Sequence, residues 1–230
     1  MTTKKSVKKT VIKKPKKLTI AEEKAKKLQT IQADKLGLYG GKKSKFPGTV
    51  IKDLSTVKDT YDIIYCDPPW RYNDKLDLQG EGAATHYNVM TINDLKKMPI
   101  NDIGKKDSIM FMWVTMPLMQ EGLDLMKAWG YEYRTCFNCW IKLNPKAKTV
   151  FKGIGRWVMG NAELCLLGKK GKPQREVKHV HQVVCADRGK HSQKPEETRE
   201  RIVELMGDKK RIELFARNIT PGWDVFGNEV

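Results

Sequence analysis

The sequence predicts one α/β domain on a mostly parallel central sheet with helices on both faces, preceded by a basic tail. Three observations predict it. Tyr61-Asp62-Ile63-Ile64-Tyr65-Cys66 is a short, nearly continuous apolar run, the pattern of a strand buried on both faces of a parallel sheet. Ser108 to Thr115 repeats that pattern. After it the spacing turns helical, with Leu118, Met119, Leu123, Leu125, Met126 and Trp129 closed by Gly130.

The remaining elements continue the alternation. Tyr131 to Lys142 reads as a long strand, Glu163 to Leu167 as a short one, and Val180 to Cys185 as a further candidate. His191-Ser192-Gln193-Lys194-Pro195 opens an amphipathic stretch with Ile202, Leu205 and Met206 on one face. Pro near N1 and acids in the first turn make it a helix. Arg211 to Arg217 is a short β-rich run, and Gly222 to Glu229 follows it, so the chain closes as helix, strand, turn, strand. About 180 residues after position 48 suffice for one sizeable core.

Charge divides the chain at about residue 47. Residues 1–45 carry fifteen Lys, no Arg and three acids, which is +12 of the chain's +17 and leaves +5 for the rest. The first seventeen residues, with Lys13, Lys14, Lys16 and Lys17 around Pro15, hold too little apolar surface to fold alone. Thr19-Ile20-Ala21-Glu22 has the form of a capping box, predicting a helix over 20–36. The tail is expected to meet a phosphate backbone. A solvated arm is the plain alternative, and the basic run also has the form of a nuclear localisation signal.

No apolar run is long enough to span a membrane and the Lys-rich start lacks an apolar signal region, so a soluble, non-secreted protein is expected. The expected compartment is the cytoplasm of a bacterial or phage-infected cell, or the nucleus of a eukaryotic one. Five cysteines, at 66, 136, 139, 165 and 185, fit a reducing compartment and free thiols. Cys136 and Cys139 have half-zinc-site spacing, and His179 with His181 is the sole candidate partner pair. Their apolar, aromatic setting favours core cysteines, with at least one thiol buried, and no metal site is assigned.

The chemistry concentrates in Asp67-Pro68-Pro69-Trp70, directly after the first strand. The tetrapeptide looks like the catalytic loop of an amino-group methyltransferase, and methylating an exocyclic amine is hard because the nitrogen lone pair is delocalised into the ring. A strand-end carboxylate and the next backbone carbonyl can hold both N–H bonds and localise it. The two prolines stiffen the loop and remove donors, and the aromatic residue offers a stacking face for an extruded base. A tight turn whose Trp caps the core is the structural alternative. Loops leaving the carboxyl ends of strands form the crevice of an open α/β sheet. The connections 71–90 and 143–160 hold Tyr72, Asn73, His86, Tyr87, Asn144, Lys148, Lys152, Arg156 and Trp157, a basic and aromatic mixture suited to a nucleic acid.

Four blocks in this order resemble the DPPW-type adenine-N6 methyltransferases, which include bacterial and phage DNA enzymes and the catalytic subunit of the eukaryotic mRNA adenosine methyltransferase. They are Asp67 to Trp70, Phe111-Met112-Trp113-Val114-Thr115, His191 to Pro195, and Ile212 to Arg217 followed by Gly222-Trp223 and Gly227-Asn228-Glu229. The resemblance covers about residues 48 to 230. It implies a Rossmann-like methyltransferase fold in the permuted order, with the catalytic loop before the cofactor-binding strand, and S-adenosylmethionine as cofactor. By position, Asp67 and the Pro68 carbonyl would hold the target amine beside Pro69, and Trp70 would lie along the base. Lys194, followed by Pro195, would meet the methionine carboxylate. Leu214, Phe215, Arg217 and Asn218 would lie by the cofactor's ribose and adenine, and Asn228 and Glu229 would bind ribose hydroxyls. His86 and Tyr87 resemble the family's aromatic substrate loop. No glycine-rich cofactor loop is present, because Leu214-Phe215-Ala216-Arg217 stands in its place.

The resemblance implies methyl transfer to adenine N6, with DNA preferred and RNA the alternative. Asn144, Arg156 and the tail lysines would add substrate contacts. A homodimer or a paired methyltransferase-like subunit is the expected assembly. Asp67 and Trp70 count against cytosine-N4 and glutamine-amide methylases, and intact Asp67 and Lys194 count against a catalytically silent partner subunit.

Overall fold

The computed structural model describes residues 38–39, 42–71, 89–153, 155, 157–189 and 193–230. Seven strands form the sheet: β1 (Tyr61–Cys66), β2 (Gly104–Val114), β3 (Glu132–Leu143), β4 (Ala162–Lys170), β5 (Val183–Asp187), β6 (Arg211–Leu214) and β7 (Asp224–Phe226). Their order across the sheet is β5-β3-β4-β2-β1-β6-β7. β1 pairs parallel with β2 and β6, β6 with β7, and β3 with β5. Only β4 runs antiparallel, to β2 and to β3, because the 144–161 connection folds the chain straight back. The mostly parallel sheet read from the sequence is the one observed.

Period-two alternation sends successive side chains of these strands to opposite layers. Ile64, Cys66, Met110, Met112, Val114, Ile212 and Leu214 face α1 (Ile92–Lys97), α2 (Ile100–Ile103) and α3 (Met119–Ala128), packing with Leu95, Ile100, Leu125, Met126 and Trp129. Ile63, Tyr65, Phe111, Trp113 and Val225 face the other way, onto Ile202, Val203 and Met206 of α4 (Glu197–Met206). Helices therefore cover both faces, as expected. Gly130, at φ 83°, takes the left-handed position after α3 that a glycine fills without strain.

Several boundaries differ from the sequence expectation. β2 starts at Gly104 rather than Ser108, and β4 runs on to Lys170. Lys105, Lys169 and Lys170, half-buried, and exposed Lys106 hide these strand ends from an apolar pattern. β5 begins at Val183. Glu196 is the N-cap of α4, which puts Pro195 before the cap and not at N1. α1 and α2 are too short for a helical period to show, although Thr91 caps α1 by accepting from the Asp94 N–H at 3.2 Å. No helix among the described residues is long and apolar enough to cross a membrane.

The end of the sheet where β1 and β6 begin holds the chain that follows the tail. Ser44 Oγ donates to Asp208 at 2.7 Å, the Lys45 N–H donates to the same carboxylate at 2.9 Å, and buried Arg211 bonds both Ser44 and Asp208. Lys13, Lys14, Lys16, Lys17 and the 20–36 helix lie outside the described residues. The cysteines differ one from another: Cys66 and Cys165 are buried, Cys136 and Cys139 half-buried, and Cys185 exposed. A register shift between Cys136 and Asn138 breaks the alternation expected to bury one of that pair. No cluster of three or more metal-ligating side chains occurs among the described residues.

Candidate active site

The opposite end of the sheet, where β1 and β6 finish, gathers the predicted catalytic groups. Asp67 leaves β1 half-buried, and the Lys194 ammonium reaches it from the segment before α4, 2.7 Å from Asp67 Oδ2. The same ammonium lies 3.3 Å from Glu163 Oε2 on β4, and Glu163 Oε1 accepts from Lys142 Nζ of β3 at 2.5 Å. Two carboxylates and two lysines thus alternate in one connected row. The Trp113 ring lies 5.6 Å from Lys194 Nζ, and its indole N–H is held by the buried Tyr65 hydroxyl at 2.7 Å.

Burial and charge oppose one another here. Burial pushes the Asp67 carboxyl above the ordinary range, and the adjacent Lys194 only partly offsets this. At Glu163, burial acts in the same sense, but Lys194 and Lys142 together outweigh it and hold the carboxyl below its usual range. Burial would depress Lys194, yet Asp67 and Glu163 raise it, so the ammonium stays charged. Behind the cluster, burial pushes Glu213 up against the pull of Arg199, whose guanidinium lies 3.2 Å away.

The proline loop is pinned by its own backbone. The Pro68 carbonyl accepts the Trp70 N–H at 2.8 Å and the Pro69 carbonyl accepts from Met90 at 2.9 Å. A carbonyl has two lone pairs, so Pro68 keeps one for a substrate amine. Trp70 is only 8% exposed, and its indole N–H donates to the Trp113 carbonyl at 3.3 Å. Its ring is therefore in the core-capping environment that was the structural alternative to a stacking platform.

The predicted cofactor residues flank Asp67 at this end. Leu214 ends β6 fully buried, and Phe215 takes φ 60°, a left-handed conformation costing a bulky residue roughly 1–2 kcal/mol. That turn closes β6 and aims residues 215–218 past the strand end. The Ala216 N–H is accepted by the Phe226 carbonyl at 3.0 Å, and a Cβ on Gly227 would come within 2.1 Å of the Ala216 carbonyl oxygen. Gly227 therefore lets its strand end pack directly against the Ala216 backbone, where a side chain would clash. Arg217 pairs with Glu229 at 3.5 Å, while Asn218 and Asn228 are exposed. Pro195 is buried beside Lys194.

The substrate-side residues scatter more widely. Asn144 lies at this end but spends its amide inside its own loop, on Thr149 Oγ1 and the Val150 carbonyl. Tyr72, Asn73, His86, Tyr87 and Arg156 lie outside the described residues, as do His191 and Ser192. His179 pairs with Glu204 at 3.7 Å, away from the cluster. Sequence reasoning missed Glu163 and Lys142, because a single acid at the head of a strand and a single lysine at the tail of another carry no spacing signal. The signal lay in the hairpin, whose register sets Trp140 opposite Glu163.

The MT-A70 family profile matches residues 61–229, which spans every group just described. The chain belongs to the MT-A70 family. The type II methyltransferase M.MunI of a Mycoplasma species is 33% identical over 190 residues, covering 74% of this chain and 78% of that protein. The MT-A70-like N(6)-adenosine-methyltransferase of Drosophila melanogaster is 31% identical and the human N(6)-adenosine-methyltransferase catalytic subunit METTL3 is 30% identical, each over 76% of this chain. The chain spans 28–29% of the length of those two animal proteins, so this MT-A70 chain is matched by a minor part of each. It is a methyltransferase.

Proposed function

We propose that this protein transfers the methyl group of S-adenosylmethionine to the exocyclic N6 amine of adenine in DNA, as a bacterial or phage modification enzyme. The observation that carries the reading is the Asp67 carboxylate at the end of β1, backed by a free lone pair on the Pro68 carbonyl and joined to Lys194 at 2.7 Å. The adenine-N6 assignment is supported by the family and by the names of the animal relatives. DNA is favoured over RNA by the Mycoplasma type II methyltransferase, which this chain matches over most of its length.

The donor set at this end fits the proposed cofactor. Lys194 has three donor hydrogens, two engaged by Asp67 and Glu163, leaving the third for a ligand carboxylate. Glu229 and Asn228 offer acceptors for ribose hydroxyls, and Phe215, partly buried against the core at the end of β6, offers apolar surface at the same end of the sheet. When bound, the cofactor supplies an electrophilic methyl group. The protein's part is positioning and charge placement. Asp67 and the Pro68 carbonyl draw on the two N–H bonds of the amine and restore its lone pair to nitrogen. The acidic product nitrogen then gives its proton to water or to Asp67, whose burial makes it a better proton acceptor than an ordinary aspartate.

Nucleic acid is the partner in this reading. A second copy or a paired methyltransferase-like chain is proposed as well, supported by exposed Trp157, Val158 and Met159 in the 144–161 connection at the same end of the sheet. The deciding experiment incubates the purified chain with methyl-labelled S-adenosylmethionine and matched DNA and RNA pools, then identifies the labelled nucleoside by mass spectrometry. Label in N6-methyldeoxyadenosine is expected. Label only in N6-methyladenosine would transfer the reading to RNA, and label in neither would remove it.

A further inference from the structure

Asp67 is asked to accept hydrogen bonds from an amine, yet in this structure one of its oxygens is bonded to an ammonium. A lysine paired with Asp67 alone would be drawn fully onto the carboxylate and compete with the substrate. Lys194 does not face Asp67 alone. Glu163 pulls on the same nitrogen from 3.3 Å, and Glu163 is itself anchored by Lys142 at 2.5 Å, with Lys142 fixed in β3 by its N–H to the Asn161 carbonyl at 2.9 Å.

We propose that Glu163 and Lys142 are positioning residues that hold Lys194 between two carboxylates, leaving the second oxygen of Asp67 free for the target amine. This rests on the methyl-transfer reading above for its consequence, and on the side-chain geometry for its mechanism. The alternation of charge gives each member a counter-charge on each available side. Lys142 is the outermost link, with a side chain about one-fifth exposed, resting 5.3 Å from the centroid of the Trp140 ring. Removing it leaves Glu163 with Lys194 as its one cation among the described residues, so Glu163 protonates more readily, loosens its hold on Lys194, and lets the ammonium turn a second N–H toward the other oxygen of Asp67.

The charged groups around Glu163 bear this out by their directions. Lys142 from β3 and Lys194 from the segment before α4 both favour its ionised form, against burial. Asp67 at the end of β1 shares Lys194 with it, and Arg217, after β6, also favours the ionised form of Asp67. Loss of Lys142 therefore moves the Glu163 titration to higher pH, and the acid limb of transfer should follow it. A purely structural lysine would lower activity equally at every pH.

The test compares Lys142→Met, Lys142→Arg and Glu163→Gln with the natural chain. In the cofactor-free protein, carbon-13 NMR of the labelled Glu163 carboxyl should titrate at higher pH in Lys142→Met and return toward its natural value in Lys142→Arg. In transfer assays Lys142→Met should lose about tenfold in kcat/KM at the acid end of the profile and progressively less as pH rises. Glu163→Gln should show the low activity at all pH values, with S-adenosylmethionine affinity by calorimetry within a few-fold of natural. An unmoved Glu163 titration in Lys142→Met, or a pH-independent defect that arginine fails to rescue, would overturn the proposal. If the natural chain methylates neither DNA nor RNA, the functional reading falls on its own, while the NMR titration still decides whether the lysine acts on Glu163.

Discussion

The two ends of strands β1 and β6 each hold a small group of charged side chains, and they are built differently. At the end where the strands begin, Arg211 is 3% exposed and its two terminal nitrogens go to Asp208, Ser44 and the Lys209 carbonyl, while its buried Nε–H has no partner among the described residues. Every partner there belongs to the fold. At the end where they finish, Asp67 keeps 27% of its side chain exposed and Lys194 11%, and acceptor and donor capacity remains on both. The first group ties the chain after the tail to the domain, and the second is left incomplete for a ligand. Buried charge alone does not mark the site; charge at a strand end whose remaining donor and acceptor capacity opens to solvent does.

Removing a member of the group where the strands begin should damage stability. Arg211→Ala leaves Asp208 and Ser44 without their buried partner and should cost about 3–5 kcal/mol in chemical denaturation. Trp70→Ala, at the other end, is expected to cost a similar amount, about 3–5 kcal/mol, because the ring is core. A Trp70→Ala protein of natural stability with weakened use of the base would restore the stacking platform.

Asp208 gives a pH-dependent version of the same contrast. Burial acts to raise its carboxyl, but the Lys45 N–H, Arg211 and Ser44 outweigh that and hold it below the ordinary range. Its stabilisation is therefore present above the unfolded value of about 3.9 and lost as pH falls through the lower folded value. Asp208→Asn should melt below the natural chain at pH 7 and converge with it in strong acid, as followed by Tm across pH. A constant gap at all pH values would remove the carboxylate's charge from the anchor.

The smallest effect concerns the tail. Deleting residues 1–37 leaves Ser44 and Lys45 in place, so Tm and cofactor affinity should hold. DNA affinity at low salt should fall, and the slope of log affinity against log salt should flatten by about 0.9 for each phosphate that the tail no longer neutralises. Sequence preference should survive, since phosphate contacts position and base contacts specify. An unchanged slope would make the tail a solubility device.

Much of this was legible in the sequence because the informative residues are adjacent in it. Tyr61 to Trp70 spells a buried strand and its catalytic turn in ten consecutive letters, and the helix from Met119 shows its period because it is long enough to repeat. Glu163 and Lys142 were not legible, since their meeting depends on an antiparallel hairpin whose two strands shift register between Cys136 and Asn138. Trp70 was legible as an aromatic residue in the right place, stacking platform or core cap, but the sequence did not choose between the two, because its environment is made by Trp113 from β2, 43 residues away. The need for glycine at 227 was not legible either, since it arises only from the close approach of the Ala216 backbone across the β6–β7 pair.

The measurement that bears most directly on the roles of Asp67 and Lys194 is paired calorimetry and single-turnover transfer on Asp67→Ala and Lys194→Ala. Asp67→Ala should bind S-adenosylmethionine within a few-fold of the natural chain and transfer nothing measurable to DNA. Lys194→Ala should bind it about ten- to a hundredfold more weakly, the worth of a missing charged hydrogen bond of about 1.5–3 kcal/mol. Equal loss of cofactor binding in both variants, or full transfer by Asp67→Ala, would contradict the division of labour at this end of the sheet.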